Sequence, residues 1–150
     1  MIRIATAAAL AAALFAPSAA GAQTPSPLDV ARSWGLLGRW SLSCGQPVGD
    51  ANPLVVFSER EGRLIEERDF GARKLLGQVL KLAQRPDGAL LMEIAYPSTT
   101  RERMEIHYGP QGRRIVSDRD LKTNEVTIRN GRFPNNELTP VEHRCPDLAQ

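Results

Sequence analysis

The stretch Arg101-Glu102-Arg103-Met104-Glu105-Ile106-His107-Tyr108 decides the fold. Successive side chains on an extended chain point to opposite faces, so Met104, Ile106 and Tyr108 fall on one side and Arg103, Glu105 and His107 on the other. That alternation reads as an antiparallel strand with one dry face and one charged face toward water. Gly109-Pro110-Gln111-Gly112 supplies a turn, and Arg113 to Asp120 continues as the next strand.

The same period of two extends in both directions. Upstream, Ala89 to Tyr96 carries Leu90, Met92, Ile94 and Tyr96 on one face, between turn signals at Pro86-Asp87-Gly88 and Pro97 to Thr100. Leu75 to Arg85 precedes it, after a break at Gly71 to Lys74. Arg63 to Phe70 and Leu54 to Arg60 form a hairpin through Glu61-Gly62, and Gly45 to Pro53 is a Gly-, Pro-, Asn- and Asp-rich loop. Arg39 to Cys44 alternates with Trp40, Leu42 and Cys44 on one face. Downstream lie Glu125 to Asn130 and a last extended piece, Leu138 to Cys145. Only one segment has helical spacing: Ser26 as N-cap, Pro27 at the first helical position, then Leu28, Ala31, Trp34 and Leu37, ending near Gly38. Eight or nine short strands joined by tight turns predict an all-β, up-and-down antiparallel meander. It either curls into a barrel of about eight strands, the favoured reading, or packs as a β-sandwich.

The first 22 residues have the three parts of a secretory signal: Arg3, an apolar run from Ile4 to Ala16, and Ala20-Gly21-Ala22 as a small-x-small cleavage site. The run is too short to span a bilayer, so the domain division expected is a cleaved signal over 1–22, a flexible lead over 23–27 and one barrel domain over 28–150. The mature product is expected to be periplasmic or secreted, with no membrane anchor after cleavage. The whole chain carries 19 basic and 17 acidic side chains, a balance that leaves no electrostatic footprint for nucleic acid. Cys44 and Cys145 are the two cysteines, and in an exported chain they are expected to form a disulfide. Closing the loop of 101 residues between them is worth about 4.7 kcal/mol in the chain-entropy account.

A short helix, then Gly38-Arg39-Trp40-Ser41-Leu42 opening the first strand of a meander, resembles the lipocalin-like superfamily. Within it, the chain resembles exported bacterial protease inhibitors of the alkaline metalloprotease inhibitor type, which share its size, its signal peptide and a G-x-W-x-L stretch. A second resemblance is to small uncharacterised periplasmic proteins of α-proteobacteria. The first resemblance implies a barrel floor in which Gly38 admits the chain and Trp40 plugs the base beneath a stacked arginine, with Arg129 or Arg132 as the candidates. It also implies a binder of small ligands, or an inhibitor that inserts Gln23 to Leu28 into a protease cleft. The late position of Cys145 departs from the inhibitor pattern. In a closed meander, first and last strands are neighbours, so a Cys44–Cys145 bridge would lock the seam.

The search for chemistry leaves no catalytic, cofactor or metal residue nominated. His107 and His143 lack metal-site spacing and read as surface side chains, and no G-x-S-x-G, H-E-x-x-H, Walker A or G-x-G-x-x-G string is present. Glu66-Glu67-Arg68-Asp69 and Asp118-Arg119-Asp120 read as solvated charged faces. Arg101, Arg103, Arg113 and Arg114 flank one hairpin and could grip an anion. Glu102, Glu105 and Asp118 among them favour cross-strand pairing instead. The expected function is therefore a non-enzymatic exported binding protein with a protein or small-molecule partner, or else an interaction subunit of an envelope assembly.

Overall fold

The computed structural model describes residues 24–109 and 111–147, so the signal segment 1–22 lies outside the described residues. Helix α1 spans Pro27–Trp34. Ser26 caps it: the Ser26 hydroxyl accepts from the Asp29 amide (3.2 Å), and the Asp29 carboxylate accepts in return from the Ser26 amide (3.3 Å). The helix begins at Pro27, the first helical position expected from the sequence, and Leu28 is buried.

Nine strands follow: β1 (Gly38–Ser41), β2 (Leu54–Arg60), β3 (Arg63–Asp69), β4 (Lys74–Gln84), β5 (Leu90–Ala95), β6 (Thr100–His107), β7 (Gly112–Asp120), β8 (Val126–Ile128) and β9 (Val141–Cys145). From β1 to β7 each strand pairs antiparallel with the next, and β9 lies between β1 and β7 to close the wall. The result is a closed antiparallel barrel of eight strands plus one extra strand, not a sandwich. The extra strand is β8. It pairs with β7 at Asp118 and Arg119, while β9 takes the same edge of β7 at Gly112 to Arg114.

The first strand is shorter than its alternation predicts, because Asn52 pulls the chain out of the sheet. Its side-chain carbonyl accepts from the Ser41 hydroxyl (2.8 Å) and the Ser43 amide (2.9 Å), and its amide group donates to the carbonyls of Ser43, Gln46 and Pro47. Leu42 and Cys44 therefore lie beyond the strand. The loop carries Cys44 back to Cys145, with α-carbons 5.4 Å apart and the two sulfurs bonded.

Helix α1 closes one end of the barrel. The Trp34 indole donates to the Gly88 carbonyl in the β4–β5 turn (2.9 Å) and stacks on His107 at the end of β6. Beneath the helix sits one apolar cluster, in which Leu28, Ala31, Trp34 and Leu36 meet Trp40, Val55, Phe57, Leu64, Leu90, Met92 and Ile94. Each such side chain contributes about 1.5–3 kcal/mol when fully buried.

Candidate functional site

Hairpin register decides what the other half of the barrel contains. Across β5 and β6, Leu90 stands opposite Glu105, Met92 opposite Arg103 and Ile94 opposite Arg101. Directly opposed residues share a face, and Leu90, Met92 and Ile94 point into the core, so the charged side of β6 points inward as well. The same holds across β2 and β3, where Val55 and Phe57 stand opposite Arg68 and Glu66. The reading of Arg103, Glu105, Glu66 and Arg68 as a solvated face is therefore corrected: Glu66 and Glu105 are fully buried, and Arg103 is 4% exposed. A bulge in β7 skips Val116, so Arg113 and Ile115 below it and Asp118 above it all turn toward the interior.

Two charge clusters result. In the deeper one, Arg113 donates to Glu105 and Glu142, while its guanidinium lies 4.8 Å from the centre of the Phe57 ring and 5.2 Å from that of Trp40. Four electron-rich groups thus surround one buried cation, which compensates part of its desolvation. In the outer cluster, Arg103 donates to Glu66 (2.6 Å), to Asp118 (3.0 Å) and to the Tyr96 hydroxyl (3.3 Å). Arg68 Nε reaches Glu66 at 2.8 Å, the Tyr96 hydroxyl donates to the other Glu66 oxygen, and Arg101 grips Asp118 together with Thr127. Gly77 makes room for this arrangement: a Cβ there would stand 2.7 Å from the Tyr96 ring and 2.6 Å from Ile94.

The electrostatics follow from these contacts. Burial by itself would push the Glu66 carboxyl up, but Arg103, Arg68 and the Tyr96 phenol hold it well below the ordinary carboxylate range. Asp118 is also held low, its burial outweighed by Arg103 and Arg101. Asp120, at the rim, is drawn down to about 2 by the Thr99 hydroxyl and the main-chain N–H of Thr123. Burial keeps the Tyr96 phenol protonated, its pKa raised. The cluster therefore offers fixed charges and oriented donors to whatever enters it.

Above the outer cluster, at the end of the barrel opposite α1, lies a cavity of about 700 Å³. Arg68, Arg101, Arg103 and Asp118 line its base, and Phe70, Leu75, Pro97, Ile115 and Ile128 line its walls. Arg73 stands at the rim with its guanidinium 4.5 Å from the Phe70 ring centre. Arg68 Nη2 is buried and has no hydrogen-bond partner among the described residues.

The residues singled out in the sequence sit elsewhere. Gly38 and Trp40 are at the helix end, where Gly38 adopts a φ of +127° that favours glycine and lets the Arg144 guanidinium pass over it. Arg144 stacks 5.5 Å from the centre of the Trp40 ring and donates to the carbonyls of Gly35 and Leu37, just beyond the end of α1. The arginines on Trp40 are thus Arg144 and Arg113, not Arg129 or Arg132; Arg129 and Arg132 bridge each other in the loop after β8. His143 is exposed on β9, and His107 is occupied by its stack on Trp34. The cross-strand pairing expected around the β6–β7 hairpin is present in Arg103–Asp118, Arg113–Glu105 and Arg119–Glu102.

Among the described residues, no group of three or more His, Cys, Asp or Glu side chains is arranged to hold a metal ion, and no helix is long and apolar enough to cross a membrane. No protein-family profile, curated protein or solved structure matches the chain.

Proposed function

We infer that the chain is an exported, non-enzymatic, lipocalin-like β-barrel that binds a small ligand in the cavity at its open end. The observation that carries this reading is the 700 Å³ cavity, whose apolar walls descend to a base of fixed charges. That volume lies in the range of small-molecule sites, and the mix of apolar lining with a few convergent polar groups is their usual chemistry. Export to the periplasm or beyond is supported by the signal-like first 22 residues and by the Cys44–Cys145 bridge. The lipocalin-like reading is supported by the positions of Gly38 and Trp40 at the plugged end.

A neutral solvatochromic dye such as Nile red tests cavity binding without presuming charge. Its fluorescence is expected to rise with the wild-type protein and to stay low with Leu75→Trp, which fills the cavity from the wall. An equal rise in both would place the dye elsewhere and defeat the reading. N-terminal sequencing of protein recovered outside the cytoplasm is expected to begin at Gln23.

A second reading, an interaction subunit of an envelope assembly, is favoured by Leu76 and Leu80, both exposed on the outer face of β4. Co-purification of a stoichiometric partner would support it, and recovery only as a lone monomer would count against it.

A further inference from the structure

The segment Arg129-Asn130-Gly131-Arg132 follows β8 and folds as a two-residue hairpin turn. Asn130 and Gly131 have φ values of +52° and +69°, both left-handed, as a type I′ turn requires. Arg129 and Arg132 then exchange both main-chain hydrogen bonds (2.9 and 3.0 Å), which places their side chains next to each other on one face. The turn is fixed from both sides. The Gly131 amide donates to the Val116 carbonyl of β7 (2.8 Å), and the Thr139 amide donates to the Gly131 carbonyl (2.9 Å). The backbone therefore holds two cations together.

Like charges directly opposed across a pair of strands repel, and elsewhere the molecule neutralises them. Arg60 and Arg63 flank the Glu61-Gly62 turn in the same way, yet Arg60 meets Glu67 at 2.6 Å. Among the described residues, neither Arg129 nor Arg132 forms an ion pair with a carboxylate. The one side-chain bond that either makes runs from Arg132 Nη1 to the Asn136 carbonyl (2.8 Å). Glu125 and Glu137, the acidic residues nearest in sequence, are exposed and lie outside the depression that the two arginines border.

That depression has a volume of about 450 Å³, and Val126, Thr127, Asn130, Phe133, Pro134 and Asn136 complete its lining without an Asp or Glu. Of the residues around the cavity at the open end it shares only Thr127. We propose that this depression is a second ligand site, outside the barrel, in which Arg129 and Arg132 together hold the phosphate of a small, ring-bearing phosphate monoester. The volume suits a small molecule. A phosphate monoester carries about two negative charges at pH 7 and three acceptor oxygens, which match two adjacent guanidinium forks better than a single carboxylate does. Asn130 and Asn136 add neutral amide donors. Phe133, 38% exposed beside Pro134, offers a face on which the ring of the ester lies.

Titration of the purified protein with phenyl phosphate, followed by NMR of the backbone amides and the arginine Nε–H groups, tests the site. The Arg129 and Arg132 signals are expected to shift together and to saturate, while those of Arg68, Arg101 and Arg103 stay in place. Arg129→Gln/Arg132→Gln is expected to weaken binding about 10-fold, the span of two exposed ion pairs, whereas Arg63→Gln at the other turn leaves it unchanged. Should the double variant misfold, the wild-type shifts locate the site by themselves. Methyl phosphate, which lacks the ring, and phenyl sulfate, which lacks the second charge, are both expected to bind more weakly. Methyl phosphate binding as tightly as phenyl phosphate overturns the ring contact, and phenyl sulfate doing so overturns the dianion. A phosphotyrosine peptide that binds more tightly than phenyl phosphate overturns the small-molecule ligand. Absence of a saturable shift at Arg129 and Arg132, or equal binding by the double variant, overturns the site.

Discussion

Arg103 Nη1 donates to Glu66 Oε1 across 2.6 Å, joining β6 to β3 through the interior although β4 and β5 separate them in the wall. The bond makes the outer half of the barrel a charge-filled space braced from within, while the half under α1 is filled by apolar packing. The two fillings behave differently. Apolar packing tolerates small losses, whereas a buried ion pair is cooperative: either partner alone is worse than neither.

Glu66→Ala should therefore be severe. It leaves Arg103 and Arg68 facing each other without the carboxylate between them, and removing one partner of a buried pair typically costs about 3–5 kcal/mol. Urea denaturation followed by circular dichroism measures it. The double variant Glu66→Ala/Arg103→Met should recover part of the loss. A single-variant loss below about 1 kcal/mol would contradict the burial of this network.

Stability should fall on the acid side. Glu66, Asp118 and Asp120 all have lowered pKa values in the folded protein, so each binds its proton more readily when unfolded. Their contribution is complete above the unfolded values, near 4, and is lost as pH drops through the folded ones. The melting temperature is expected to decline from about pH 5 downward. For Asp120 the decline extends to about pH 2, so Asp120→Asn should flatten the curve between pH 4 and 2. A melting temperature that is level from pH 6 to 2 would contradict these assignments.

The bridge between Cys44 and Cys145 closes the seam at β1 and β9. Replacing both cysteines by serine is expected to lower the unfolding free energy by about 2–4 kcal/mol. Alkylation before reduction should label neither cysteine, and after reduction and unfolding both; mass spectrometry reads the difference. Two labelled thiols in the untreated protein would show that the seam is open.

Gly77→Ala tests the close approach of Tyr96 to β4. The added methyl would lie within 3 Å of both Tyr96 and Ile94; Ile94 is fully buried, and Tyr96, which borders the cavity, is held in place by its bond to Glu66. Overpacking of this kind costs about 1–3 kcal/mol. Near-UV circular dichroism should report the displaced tyrosine, and an unchanged spectrum with unchanged stability would show that the ring has room.

Much of the fold was legible because it is written locally. Glu61-Gly62, Pro86-Asp87-Gly88 and Gly109 to Gly112 mark turns through the backbone conformations they allow, and Ser26-Pro27 marks a helix start through its missing N–H and its capping hydroxyl. The strands between them follow from alternation. The candidate site was not legible in the same way. Arg103 and Glu105 alternate with Met104 and Ile106, and the natural inference sends the charges to water. The usable signal was indirect: Glu66-x-Arg68 and Arg101-x-Arg103-x-Glu105 carry opposite charges at matching spacing, a pattern that can satisfy itself inside a barrel as well as on its surface.

From its residues alone this chain determined that it would be a meander of short strands with one capped helix and one possible disulfide, since period, turn chemistry and a cysteine count need no knowledge of distant partners. Which face of each strand meets the interior was decided only in three dimensions. Strand faces alternate with a period of two, so a shift of one residue in the Ala95–Thr100 pairing would exchange Arg103 for Met104 at the core. The β7 bulge likewise re-aims Asp118. Closure by β9 then brings Glu142 to Arg113, and the cavity and its unsatisfied arginine exist only once those choices are made together.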